Sequence, residues 1–158
     1  MKSIYSDLTI SICTISDRVS SAFDVILNGP ADVNYLVIHQ MAGDTRELVD
    51  GRLKELAGKN ISYHSIASLG VASSRNAAIE LTRTKFMLFT DDDIIADPNW
   101  LCELHTQAQK YKEFDIFAGQ ILPFWTKKPD NWILEWVNHQ VVYALTPSHL
   151  TKGSILSG

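Results

Sequence analysis

The sixteen residues FMLFTDDDIIADPNWL, 86–101, hold a strand, an acidic cluster and a helix start in direct succession. Phe86–Phe89 is short, apolar and β-prone. Asp91, Asp92 and Asp93 follow at once, and Asp97-Pro98 then predicts a helix start, because Asp is a good N-cap and Pro suits a first helical position that needs no amide donor. Leu101, Leu104, Ala108 and Tyr111 fall at offsets of three, four and three, one face of that helix. Working outward, Leu8–Thr14, Tyr35–Ile38 and Ile61–Ile66 are further short strands, and Val49, Leu53 and Leu56, then Val71, Ala78 and Leu81, mark faces of intervening helices. A fifth strand is expected at Ile116–Leu122, with a loop from Phe124 leading to a helix from about Trp132. Strands alternating with helices favour parallel pairing through right-handed crossovers. The expected fold class is therefore α/β, a Rossmann-like, doubly wound, mostly parallel sheet with helices on both faces.

Composition sets the bounds. A chain of 158 residues predicts a single domain, 1–158, that buries roughly two-thirds of its unfolded surface. With 46% hydrophobic and 20% charged residues and only short apolar runs, disorder, collagen and membrane-spanning helices are excluded. Lys+Arg 14 against Asp+Glu 18, with no basic block, argues against nucleic acid as a partner. Cys13 and Cys102 lie far apart in apolar segments, and the N-terminal residues lack the basic-then-apolar form of a secretory signal. A cytoplasmic chain with reduced thiols is expected. Ile155 to Gly158 have the pattern of an element beginning, so the C-terminus is expected to be truncated.

In an open α/β sheet, ligands bind beyond the carboxyl ends of the strands, where strand order reverses. The residues placed there are Ser16, Asp17 and Arg18, then His39 and Gln40, then Ser68 to Asn76, and finally Asp91 to Asp93. Three consecutive carboxylates repel one another and are most easily tolerated beside a cation. If the backbone stays extended, Asp91 and Asp93 share a face and Asp92 points away, giving a D-x-D pair suited to Mg²⁺ or Mn²⁺. A solvated acidic turn before a helix is the bland alternative. A calcium loop counted from Asp91 would need Gly and Glu where Ala96 and Cys102 stand. A D-x-D phosphatase of the haloacid dehalogenase type continues with Gly-Thr, where this chain has Ile94-Ile95.

The blocks Leu69-Gly70-Val71-Ala72-Ser73-Ser74-Arg75-Asn76-Ala77-Ala78, Phe86 to Asp93 and Asp97-Pro98-Asn99-Trp100-Leu101 together closely resemble family 2 glycosyltransferases of the GT-A fold. The resemblance spans Leu8 to about Pro123 and is strongest between Ser68 and Leu101. It implies a nucleotide-sugar donor bound across the first four strand ends, with residues 1–122 as the donor-binding half and 123–158 as the start of an acceptor-side region. It implies a divalent cation, Mn²⁺ or Mg²⁺, on the donor diphosphate, held by Asp93 with Asp91. Asp91 or Asp92 would contact the ribose or donor sugar, and Arg75 the base or diphosphate. Thr14, Ser16 and Asp17 would line the nucleoside pocket. Relatives often carry acidic residues after the second strand, where this chain has His39 and Gln40, either of which could hydrogen-bond a base.

The implied reaction is metal-dependent, inverting transfer of a sugar to the hydroxyl of a carbohydrate or lipid-linked acceptor. The base for that reaction lies, in the family, after a downstream Gly-rich strand that Lys152 to Gly158 only approaches; Asp130 and Glu135 come too early to match it. The phosphatase and a non-catalytic nucleotide-sugar-binding module stand as alternatives. Phe124, Trp125, Trp132, Trp136 and Tyr143 would cover the core or a neighbouring element, leaving an exposed apolar face near Trp132 and Ile155. Lys127 and Lys128 could touch anionic lipid but are too few to make a membrane site, so any membrane association is expected to be at most peripheral, at the inner face of the membrane.

Overall fold

The computed structural model of the chain describes residues 4–41 and 43–138. The expectations placed on Tyr143, Lys152 and Ile155 to Gly158 lie outside the described residues. The chain divides into two compact units, Met1–Asp97 and Pro98–Gly158.

The first unit is built on four parallel strands, β1 (Tyr5–Ile15), β2 (Val33–Gln40), β3 (Asn60–Ile66) and β4 (Phe86–Thr90), in the order β3-β2-β1-β4. The register pairs Ile12 with Val37 and Thr14 with His39 on one side of β1, and Ile12 with Thr90 on the other. Helices α1 (Val19–Asn28), α2 (Arg46–Glu55) and α3 (Val71–Leu81) connect them, and a single 3-10 turn, Ser16–Arg18, links β1 to α1. Successive strand residues face opposite ways, and the two faces hold different helices. Phe23 of α1 stacks on Tyr63 of β3, which meets the His39 ring edge-on. On the other face Ala78 of α3 packs with Leu36 and Ile38, flanked by Cys13, Ile66 and Met87. The sheet is thus doubly wound, as expected, and its central strands β1 and β2 supply most of the buried core.

Sequence patterning missed α1, although Val19, Ala22, Phe23 and Ile26, all fully buried, fall at the i, i+3, i+4, i+7 spacing of one helical face. Lys59 closes this helix, its ammonium donating to the carbonyls of Ile26 at 2.5 Å, Leu27 at 3.1 Å and Gly29 at 2.6 Å. In α3 the expected apolar face is corrected. Ala78 and Ser74, four apart, are the buried positions, while Val71 and Leu81 are exposed at the two ends of the helix.

The second unit contains α4 (Trp100–Lys110) and α5 (Asn131–Asn138). Helix α4 starts later than the Asp97-Pro98 signal, because Pro98 and Asn99 form a turn and Asn99 takes the N-cap position. The fifth strand expected at Ile116–Leu122 does not form. Strand propensity is realised only where a neighbouring ladder is available, and none of these residues pairs with a strand among the described residues. Ile116 is 88% exposed, and Gly119 interrupts the β-prone run. Helix α5 begins close to the expected position, with Trp132 and Trp136 exposed.

Candidate functional site

The chain runs from β1 outward to β3, then returns across β1 to place β4 on its other side. The switch in strand order therefore lies between β1 and β4, the position where open α/β sheets bind ligands. Beyond the carboxyl ends of these two strands lies a cleft of about 310 Å³. Thr14 and Arg18 line it from the β1 side, Ser74 and Arg75 from the first turns of α3, and Phe89 to Asp93 from the end of β4.

The last pair of the β1–β4 ladder is Ile12 with Thr90, so continuing the register sets Thr14 opposite Asp92. The side chains meet there. The Thr14 hydroxyl donates to Asp92 Oδ2 at 2.6 Å, and Asp92 is buried. The Arg18 guanidinium completes the enclosure, with Nε donating to Oδ2 at 3.2 Å and Nη2 to Oδ1. These bonds and the Asp92 charge raise the Arg18 pKa above its ordinary value. Nη2 also reaches Asp93 Oδ2 at 3.0 Å.

Asp91 continues the opposite face of β4. There Arg75 lies over the Phe89 ring at 5.7 Å and approaches Asp91 Oδ1 at 3.9 Å. The expected pairing of Asp91 with Asp93 assumed extended backbone; the strand instead ends at Thr90 and residues 92–93 turn, so Asp93 joins Asp92 on Arg18. Among the described residues no group of three or more His, Cys, Asp or Glu side chains is gathered to hold a metal by itself.

Of the residues singled out in the sequence, Thr14, Arg75, Asp91, Asp92 and Asp93 come together at the cleft. Ser16, Asp17 and His39 do not line it. Asp17 is exposed on the 3-10 turn. His39 is fully buried, with Nε2 2.7 Å from the Ser16 carbonyl and Nδ1 2.7 Å from the Tyr63 hydroxyl, so neither ring nitrogen is left to a base. Because the Ser16 carbonyl can only accept, Nε2 carries the proton and Nδ1 accepts from Tyr63. Burial lowers the His39 pKa, partly offset by the bond to Ser16. Ser16 itself has a φ of 52°, a left-handed conformation that is uncommon for a residue with a side chain, and its bond to His39 anchors the turn that leads to Arg18. Gln40 likewise serves the fold, donating to the carbonyls of Ser68 at 2.8 Å and Gly70 at 2.9 Å and holding the entry to α3. Sequence reasoning gave Arg18 no role. The available signal was a lone cation at the end of the strand that neighbours an acidic run.

A family model described as Glycosyl transferase family 2 matches residues 42–151, a span that contains Arg75 and Asp91 to Asp93 but neither Thr14 nor Arg18. No curated protein matches. Among solved structures, the crystal structure of S. aureus TarS is similar with a TM-score of 0.53 at 13% identity, over 67% of this chain and 20% of that one. S. aureus TarS 1-349 in complex with UDP-GlcNAc gives a TM-score of 0.50 at 14% identity, over 66% of this chain and 32% of that one. The match thus spans between a fifth and a third of those chains, and at such identities it speaks for the fold. The family model covers well over half of the chain and includes its acidic strand end, and on that ground the chain belongs to glycosyl transferase family 2.

Proposed function

We propose that this chain is the donor-binding part of a nucleotide-sugar glycosyltransferase that transfers a sugar to an acceptor hydroxyl with inversion and with a divalent cation, Mn²⁺ or Mg²⁺. The observation that carries this reading is the convergence of Asp91, Asp92, Asp93, Arg75 and Thr14 on one cleft at the β1–β4 switch point. The family membership and the UDP-GlcNAc bound by the similar TarS structure support a nucleotide-sugar as ligand. The same membership sets the phosphatase alternative aside.

The donor set suits a hard cation. The Asp91 and Asp93 side chains are 74% and 68% exposed at the cleft, and Mg²⁺ or Mn²⁺ commonly takes one or two carboxylates and completes its shell with waters and phosphate oxygens. Asp93 would hold it, and Asp91, on the Arg75 side of the cleft, would contact the ribose or donor sugar. Asp92, with both oxygens already accepting from Thr14 and Arg18, positions the turn instead. When bound, the cation acts as a Lewis acid on the leaving diphosphate. Arg75, resting on Phe89 with half its side chain exposed, offers a planar fork to the same phosphates, next to the amino-terminal turn of α3.

None of the chain's carboxylates is assigned as the base that deprotonates the acceptor. The carbohydrate or lipid-linked acceptor and a cytoplasmic, at most peripherally membrane-bound setting belong to the proposal. No helix among the described residues is long and apolar enough to cross a membrane.

Calorimetry with UDP-, GDP- and dTDP-sugars in the presence of Mn²⁺ tests the reading. One of the three binds the folded chain, and Asp93→Ala loses that binding. A folded chain that binds none of them overturns the proposal.

A further inference from the structure

Among the described residues, Arg18 alone bonds to two of the three clustered carboxylates. Its two links differ in kind. Toward Asp92 the guanidinium is held as a fork by two nitrogens on two oxygens, and leaving would strand a buried carboxylate. Toward Asp93 it makes one bond, Nη2 to Oδ2 at 3.0 Å, between side chains that are both substantially exposed. A cation arriving at Asp93 competes with that one bond and leaves the fork intact. The N–H so released stays at the cleft wall, where the oxygen of a bound diphosphate would be a fresh acceptor.

Resting on the donor-site reading above, we propose that Arg18 serves as the resident counter-cation of Asp93 in the ligand-free cleft and passes that hydrogen bond to the diphosphate when the divalent cation arrives. Arg18 lies outside residues 42–151, so the family match does not assign it this role. The exchange makes Mn²⁺ alone a weak ligand, and it couples cation and diphosphate, each raising the affinity for the other by the same factor.

The test is a titration of the full chain with Mn²⁺ alone, counting the free aquo ion by electron paramagnetic resonance. Removing a single-bonded, exposed positive charge beside Asp93, Arg18→Gln tightens Mn²⁺ binding by about five- to tenfold. In an Asp93→Asn background the same substitution gives no gain. Because Arg18→Gln leaves Asp92 short of partners, Arg18→Gln with Asp92→Asn is measured as well, and it shows the same gain over Asp92→Asn alone. Equal Mn²⁺ affinity with and without Arg18, or a gain that persists without the Asp93 carboxylate, overturns the inference. A separate titration with UDP, GDP and dTDP at saturating Mn²⁺ reads the donor site itself. Absence of nucleotide binding there overturns the donor reading, and the two failures are told apart because the Mn²⁺ gain is measured without nucleotide.

Discussion

His39 shows how a single buried ring sets the shape of the cleft from behind. Its Nε2–H holds the Ser16 carbonyl, its Nδ1 takes the Tyr63 hydroxyl proton, and Ser16 is anchored in the turn that leads to Arg18. Only the neutral imidazole makes both bonds as described, and burial lowers its pKa below the ordinary value near 6.5. The unfolded chain then binds a proton that the folded chain refuses. Stability from this group is complete above pH 6.5 and is lost as pH falls below that value toward the lowered folded pKa. Urea midpoints measured between pH 7.5 and pH 5 therefore fall with acidification, and His39→Gln flattens the slope in that window; an unchanged slope would show that His39 does not supply the linkage. From the sequence His39 was a polar residue at a strand end, facing solvent or a base. Its partners come from Ser16 and Tyr63, 23 and 24 residues away, and no local pattern announces such a meeting. The Asp91 to Asp93 cluster was legible for the opposite reason, since a run of carboxylates after an apolar strand is unusual chemistry wherever the chain goes.

Elements were legible where periodicity and partners coincided. All four strands were placed within a few residues, because each is a short β-branched or aromatic run that the sheet then pairs. Ile116–Leu122 has the same composition and no ladder, so it stays irregular. The end of α1 shows what the sequence does not advertise. Gly29 follows this helix at an ordinary φ of −84°, so its role is spatial rather than conformational. A Cβ there would collide with the Tyr35 hydroxyl, which donates to the Pro30 carbonyl at 2.8 Å in a buried setting. Gly29→Ala is expected to destabilise the fold by about 1–3 kcal/mol through this overpacking. In a Tyr35→Phe background, where the obstructing oxygen is gone, the cost of Gly29→Ala shrinks. Urea unfolding of the four variants measures that coupling, and strict additivity would exclude the contact as the cause.

Across the whole first unit, the order β3-β2-β1-β4 makes the cleft and the end of the β1–β4 ladder the same place. All three carboxylates line the cleft, but one of them, Asp92, is also tied into the fold. Asp92 ties the turn after β4 to Thr14 of β1 and to the 3-10 turn, so removing its charge weakens the junction between these segments. Asp91 and Asp93 are exposed, and their arginine contacts, a 3.9 Å approach and a single solvent-facing bond, contribute little stability. The two roles separate in one experiment, urea unfolding with and without Mn²⁺ and a nucleoside diphosphate. A ligand at one hundred times its dissociation constant stabilises the folded chain by about 2.7 kcal/mol. Asp91→Asn and Asp93→Asn keep the unliganded midpoint near that of the wild type and lose most of the ligand-induced rise. Asp92→Asn lowers the unliganded midpoint, through a loss of about 1–3 kcal/mol in unfolding free energy for a buried charged hydrogen-bond acceptor. Were Asp93→Asn to lower the unliganded midpoint as far as Asp92→Asn does, the division between fold and cleft would not hold, and the acidic run would be a structural device throughout.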